Sequence, residues 1–122
     1  MSEELPSQQS RPRKVSSNET SDFERPGFDG HVYVPSEANE GFTVLGIDVH
    51  GSHPRKRMLG DTTRTYYVIK GTGSFTIGED THEVTEGDLF IIPPGGEYNY
   101  DGQMQLLEVN ISPSNEFQDE RL

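Results

Sequence analysis

Apolar residues in this chain come in short runs broken by glycine. Between Arg64 and Tyr100 the sequence reads RTYYVIKGTGSFTIGEDTHEVTEGDLFIIPPGGEYNY. Three runs, TYYVI, SFTI and DLFII, are separated by Lys70–Gly73, by Gly78–Asp80 and by Glu86–Gly87. The runs are rich in β-branched and aromatic side chains, and the separators are turn chemistry. No window has the length or the spacing of an amphipathic helix. In SFTI, Phe75 and Ile77 fall on one face and Ser74 and Thr76 on the other, as a half-buried strand requires. Arg64, Tyr66 and Val68 share a face by the same period. Strands this short and this regularly interrupted predict an all-β sandwich or barrel.

The flanking sequence extends the pattern. Phe42–Val49 predicts a long strand, His31–Val34 a short edge strand before it, and Gly51–Pro54 a turn after it. Arg55–Leu59 resumes as a strand with Arg55, Arg57 and Leu59 on one face. Gly60–Thr63 is a turn, Tyr100–Gly102 has hairpin chemistry, and Gln103–Ile111 closes the domain. Residues 1–25 hold few large apolar side chains and predict a disordered polar tail. Their basic cluster, Arg11–Lys14, is the kind that usually stays solvated. Residues 26–113 predict a single domain, and 114–122 a frayed polar tail. There is no internal repeat.

Composition narrows the function classes. A length of 122 residues suits one domain with one core, and a hydrophobic content of 30% implies that part of the chain lies outside it. There is no cysteine, which removes disulfides, thiolate catalysis and zinc knuckles. A net charge of −11 argues against nucleic acid and anionic membrane as partners. No run approaches ~20 apolar residues, and the first residues lack an apolar signal segment, so a cytoplasmic protein is expected.

The glycines and prolines of the central stretch resemble those of a small cupin, the double-stranded β-helix or jelly roll. The family's second motif is Gly, five residues, Pro-x-Gly, two residues, His; Gly87, Pro93 and Gly95 stand at those spacings. Its first motif ends on a strand similar to TYYVIKG, with Glu, six residues, then Gly; here Gly71 fills the last place and Arg64 the Glu position. The resemblance runs from about Phe42 to Pro113 and implies a cupin jelly-roll barrel. It also implies that the usual metal ligands are replaced. The two His positions of the first motif fall within Arg57–Gly60, the Glu position on Arg64, and the second-motif His on Tyr98. Cations, a thioether and a phenol make a poor divalent site. No metal and no other cofactor is therefore expected. A homodimer paired through exposed edges at His31–Val34 and Phe42–Val49 follows from the same likeness.

The candidates for chemistry cluster on the implied barrel interior. An inward Arg64 needs an anion for its fork of donors, either a ligand or an internal partner such as Glu97 or Glu108. Arg57, Leu59, Arg64, Tyr66, Glu97 and Tyr98 form the candidate ligand-binding set. His53 is the one plausible neutral-pH base, and Tyr98 could be a wall of the site, a hydrogen-bond donor or, with strong tuning of its pKa, an acid. His50, His53 and Glu97 could together hold a metal in an unusual way. The leading reading is a metal-free cupin binding a small polar or anionic molecule. The alternative is a metal-independent isomerase, epimerase or lyase acting on a sugar or small acid.

Overall fold

A computed structural model describes residues 12–122. Nine strands carry the fold: β1 Ser21–Arg25, β2 Phe28–Val34, β3 Phe42–Val49, β4 Lys56–Leu59, β5 Thr63–Ile77, β6 Asp80–Val84, β7 Leu89–Ile92, β8 Glu97–Ile111 and β9 Gln118–Arg121. A single turn of 3-10 helix, Ser36–Ala38, is the one helical piece among the described residues. None of these residues forms a helix long and apolar enough to cross a membrane.

Two strands of 15 residues, β5 and β8, are the frame. They pair antiparallel from Thr63–Ile111 to Ile77–Tyr98, with a bulge between Val68 and Lys70. The first half of β5 also pairs with β7, and its second half with β6. The second half of β8 pairs with β3, which continues to β2 and β1, while its first residues pair with β4, which continues to β9. Each long strand thus passes from one wall of the barrel to the other. The structure is a cupin-type jelly roll, all β.

Glycine makes that passage possible. Lys70–Gly73 and Tyr100–Gly102, expected to be tight turns, instead lie inside β5 and β8 and face each other. Gly73 pairs with Gly102, and a Cβ on Gly102 would stand 2.5 Å from the Gly73 Cα. Two backbones this close exclude any side chain at the crossing.

Alternation then sorts the residues. Tyr98, Tyr100, Met104, Leu106, Glu108 and Asn110 of β8 are buried at every second position, opposite Tyr66, Val68 and Phe75 of β5. Phe28, Ile47, Val49, Met58, Val84 and Ile92 complete the core.

The boundaries differ from the sequence reading in three places. Of the polar tail drawn over residues 1–25, residues 1–11 lie outside the described residues. Ser21–Arg25, however, form β1, with Phe23 packed edge-on against Phe28 at 6.3 Å. One aromatic in five polar residues leaves no period to read. The C-terminal stretch expected to fray contains β9, all four residues of which pair with β4. Finally, β2 and β3 are each paired on both sides, so neither is the open edge expected of it.

Candidate functional site

Register builds the site. Asn110 of β8 stands directly between Thr43 of β3 and Arg64 of β5, and Glu108 stands opposite Tyr66. Directly opposed residues of neighbouring strands share a face at contact distance. The contacts follow. Arg64 Nε donates to Asn110 Oδ1 at 2.6 Å and its Nη1 to the Tyr98 hydroxyl at 2.8 Å. The same Nη1 lies 2.9 Å from Asp119 Oδ2 on β9, and Nε lies 3.9 Å from Glu108 Oε2. Asn110 Nδ2 donates to Thr43 Oγ1 and to Glu108 Oε2 at 3.0 and 2.9 Å. The hydroxyls of Tyr66 and Tyr98 share a hydrogen bond of 2.7 Å.

Charge sets the protonation states. Burial alone would lower the Arg64 pKa, but Glu108, the flanking tyrosines and Asp119 together hold it well above the usual value. Burial pushes Tyr66 far up and Tyr98 to about 12, the latter restrained by Arg64. Tyr100 is raised too, chiefly by burial and then by Glu108. These phenols keep their protons at neutral pH.

His53 arrives from the turn after β3. Its backbone N–H donates to the Tyr100 carbonyl at 2.7 Å, and neighbouring Ser52 bridges Asp101. Its ring stacks on Tyr98 at 5.2 Å and lies 4.4 Å from Tyr100 and 5.0 Å from Phe28. Only 5% of the residue is exposed. Desolvation first, then the charge of Lys56, pushes its pKa down to about 3. The imidazole is neutral, and its Nδ1 and the nearby Tyr100 hydroxyl are buried without hydrogen-bond partners. Unsatisfied buried polar atoms are rare and call for an explanation.

Beside His53 opens a cavity of about 450 Å³, lined by Arg25, Pro26, Phe28, Ser52, His53, Pro54, Lys56, Asp119 and Arg121. That volume falls in the usual range for small-molecule pockets. Its wall is partly β9, whose Asp119 reaches Lys56 Nζ at 3.5 Å as well as Arg64.

The residues singled out from sequence divide into two groups. Arg64, Tyr66, Tyr98 and His53 come together inside the barrel. Arg57, Leu59 and Glu97 do not join them. The inward face of β4 is Lys56 and Met58, so Lys56 and not Arg57 is the β4 cation that borders the cavity. Arg57 pairs with Glu97 and Glu120 at 3.4 and 2.9 Å, and Glu97 is also 3.4 Å from Arg55. Of the two internal partners expected for Arg64, the structure brings up Glu108 and not Glu97. Leu59 is half-buried opposite Gln118. His50 lies 3.5 Å from Asp29, so His50, His53 and Glu97 do not converge, and no group of three or more His, Asp or Glu able to hold a metal occurs among the described residues. Nor do Arg64 and Tyr98, at the family's ligand positions, fit a divalent ion: the guanidinium already claims the nearby carboxylates.

Lys56, Asn110, Asp119, Arg25 and Arg121 were missed from sequence. Asn110 was detectable as a polar residue in phase with Met104 and Leu106; Asp119 carries no local signal.

Comparison with known proteins agrees with this fold. Residues 43–110 match the family model described as Cupin domain. No curated protein sequence matches the chain. Among solved structures, Streptomyces Pac13, described as a nucleoside dehydratase, is 23% identical with a TM-score of 0.74, over 92% of this chain and 93% of its own. Three variants of it, each substituted at a single histidine or tyrosine, were solved with uridine; they are 24% identical with TM-scores of 0.77 over 92% of this chain and 91–92% of theirs. KdgF from Halomonas sp. is 9% identical with a TM-score of 0.70, covering 84% and 94%, and ectoine synthase from P. lautus is 15% identical with a TM-score of 0.66, covering 83% and 80%. At these identities the likeness is one of fold.

Proposed function

The chain belongs to the cupin family, and from that premise we propose that it is a metal-independent cupin lyase, binding a small hydroxylated molecule of the nucleoside class and removing water from it. The observation that carries this reading is His53: a neutral, buried imidazole with an unpartnered Nδ1, at the wall of a cavity of about 450 Å³. The histidine and two tyrosines substituted in the uridine-bound Pac13 structures stand in the same order and at the same spacing along their chain as His53, Tyr66 and Tyr100 do here. Three neighbours in fold, Pac13, KdgF and ectoine synthase, are small cupins too, and Pac13 is the one described as a dehydratase.

The chemistry follows from protonation. An imidazole whose conjugate acid has a pKa of about 3 is a weak base, so the C–H it takes must be acidified by a neighbouring carbonyl. The carbon's electron pair then forms a double bond as the adjacent C–O bond breaks. The imidazolium returns its proton to the departing hydroxide, which leaves as water. Tyr98 and Tyr66, held protonated, donate hydrogen bonds and do not compete for the proton. Binding without turnover is the second reading, favoured by that same weak basicity.

Calorimetry with uridine tests binding, and mass spectrometry with a uridine oxidised to a carbonyl on its sugar tests turnover. Loss of water by the native protein, with His53→Gln binding but not converting, is the expected result. Uridine binding with no conversion of the carbonyl compound would leave the second reading. The proposal extends to a homodimer, in keeping with a wide apolar face on the outside of the barrel.

A further inference from the structure

We infer that the cavity is built for a phosphomonoester, so that the molecule it accepts is a nucleotide or sugar phosphate and not the bare nucleoside. This deepens the reading above and rests on it only for the nucleoside part.

The inference comes from where charge is left unpaired. Six arginines are described. Arg13, Arg55, Arg57 and Arg64 each have a nearest carboxylate oxygen between 2.7 and 3.4 Å away. Arg25 and Arg121 have none among the described residues, and both line the cavity. In a protein of net charge −11, with 21 acidic side chains available, two guanidiniums without a carboxylate at one opening are unexpected. The Arg25 guanidinium donates to the Glu24 carbonyl at 2.7 Å and lies over the Phe23 ring at 4.8 Å, which leaves other donors of its fork free.

A second observation is independent of the first. Lys56 of β4 and Arg121 of β9 are directly opposed across the two strands, and both border the cavity. Like charges directly opposite are destabilising. Asp119, two residues before Arg121, touches Lys56 at 3.5 Å but is shared with Arg64 at 2.9 Å. The charged residues that line the cavity are three cations, Arg25, Lys56 and Arg121, against one carboxylate, Asp119. The surplus of two matches a phosphomonoester, which carries about −1.5 to −2 near neutrality. Guanidinium forks from β1 and β9, facing one opening from two strands, suit its three oxygens.

The probes are uridine, uridine 5′-monophosphate and ribose 5-phosphate, titrated by calorimetry at fixed ionic strength into the native protein and into Arg121→Ala, Arg25→Ala and Arg121→Lys. The monophosphate is expected to bind at least tenfold tighter than uridine. Each alanine variant should weaken the monophosphate by roughly 10- to 150-fold, as loss of one charge-assisted hydrogen bond does, and leave uridine unchanged. Arg121→Lys should recover part of the loss. Equal affinity for uridine and its monophosphate would overturn the anion site while leaving the nucleoside reading standing. Binding of ribose 5-phosphate alone, lost in the alanine variants, would keep the anion site and sink the nucleoside reading. No binding by any probe would overturn both. Because the two alanine variants lie on different strands, misfolding of one leaves the other to decide.

Discussion

Arg64 occupies the centre of a buried polar network, with Nε on Asn110 and Nη1 on Tyr98 and Asp119, and that makes its role testable by removal. Arg64→Ala leaves Glu108, which is 7% exposed, without its cation. Breaking a buried pair from one side costs ~3–5 kcal/mol, so the variant should lose about that much in urea unfolding, with no ligand present. Unchanged stability would show that Glu108 is satisfied without the guanidinium. His53 makes a prediction of the opposite kind, in pH. Its folded pKa, near 3, lies below the unfolded value of ~6.5, so the unfolded chain takes up the proton first. The stability due to neutral His53 is complete above that unfolded value. It should fall by at most about 1.4 kcal/mol per pH unit as pH drops toward the folded pKa. Unfolding midpoints measured between pH 7 and 4 should therefore decline more steeply for the native protein than for His53→Gln. Parallel declines would place the imidazole in contact with water. Both residues were visible in the sequence, Arg64 through its phase with Tyr66 and Val68. Their partners were less so, because a cross-strand neighbour such as Asn110 depends on a register that no local pattern encodes.

At the scale of elements, β5 and β8 matter most because each serves both walls of the barrel. Alternation identified the apolar segments within them, and β3 was legible from end to end at Phe42–Val49. What alternation did not reveal was that Lys70–Gly73 and Tyr100–Gly102 are crossings and not turns. Glycine supplies positive φ for a turn and room for a backbone contact alike, and the sequence does not separate the two uses. Gly102 has a φ of 145° and almost no space for a Cβ. Gly102→Ala should accordingly cost ~1–3 kcal/mol or more and lower the melting temperature, whereas Gly87→Ala, with nothing within 4 Å of its Cβ, pays only for its φ of 88°. An equal effect at both positions would mean that the crossing can spread. Strands β1 and β9 escaped the sequence for a different reason. Each is polar, with Phe23 as the sole large apolar residue in β1 and none in β9, and each is held by pairing to a neighbour and by charge at the cavity. Elements stabilised mainly by tertiary partners leave little local trace, and these two carry Arg25, Asp119 and Arg121.

At the scale of the whole molecule, the outer side of one wall of the barrel is apolar. Tyr67, Ile69, Leu89, Ile91, Ile111 and Phe42 are between 38% and 57% exposed. They are contiguous by register: Leu89 lies beside Tyr67, which lies beside Leu107; Ile91 lies beside Thr65, Thr65 beside Val109, and Val109 beside Val44; Ile111 lies beside Phe42. Four strands thus present one apolar face, and a patch of that kind marks an interaction surface. A second copy is the occupant that needs no other partner, since a two-fold contact sets the same patch against itself. Such a pairing would need no open edge at β2 or β3, which are already paired. The expected result is a dimeric mass by light scattering for the native protein. Leu89→Lys combined with Ile91→Lys puts charges at the middle of the face, on side chains already more than half exposed, and should give a folded monomer. The cavity lies against β1, β4 and β9, away from this face, so the monomeric variant should keep its ligand affinity. A native monomer, or a double variant that stays dimeric, would assign the face to a different partner.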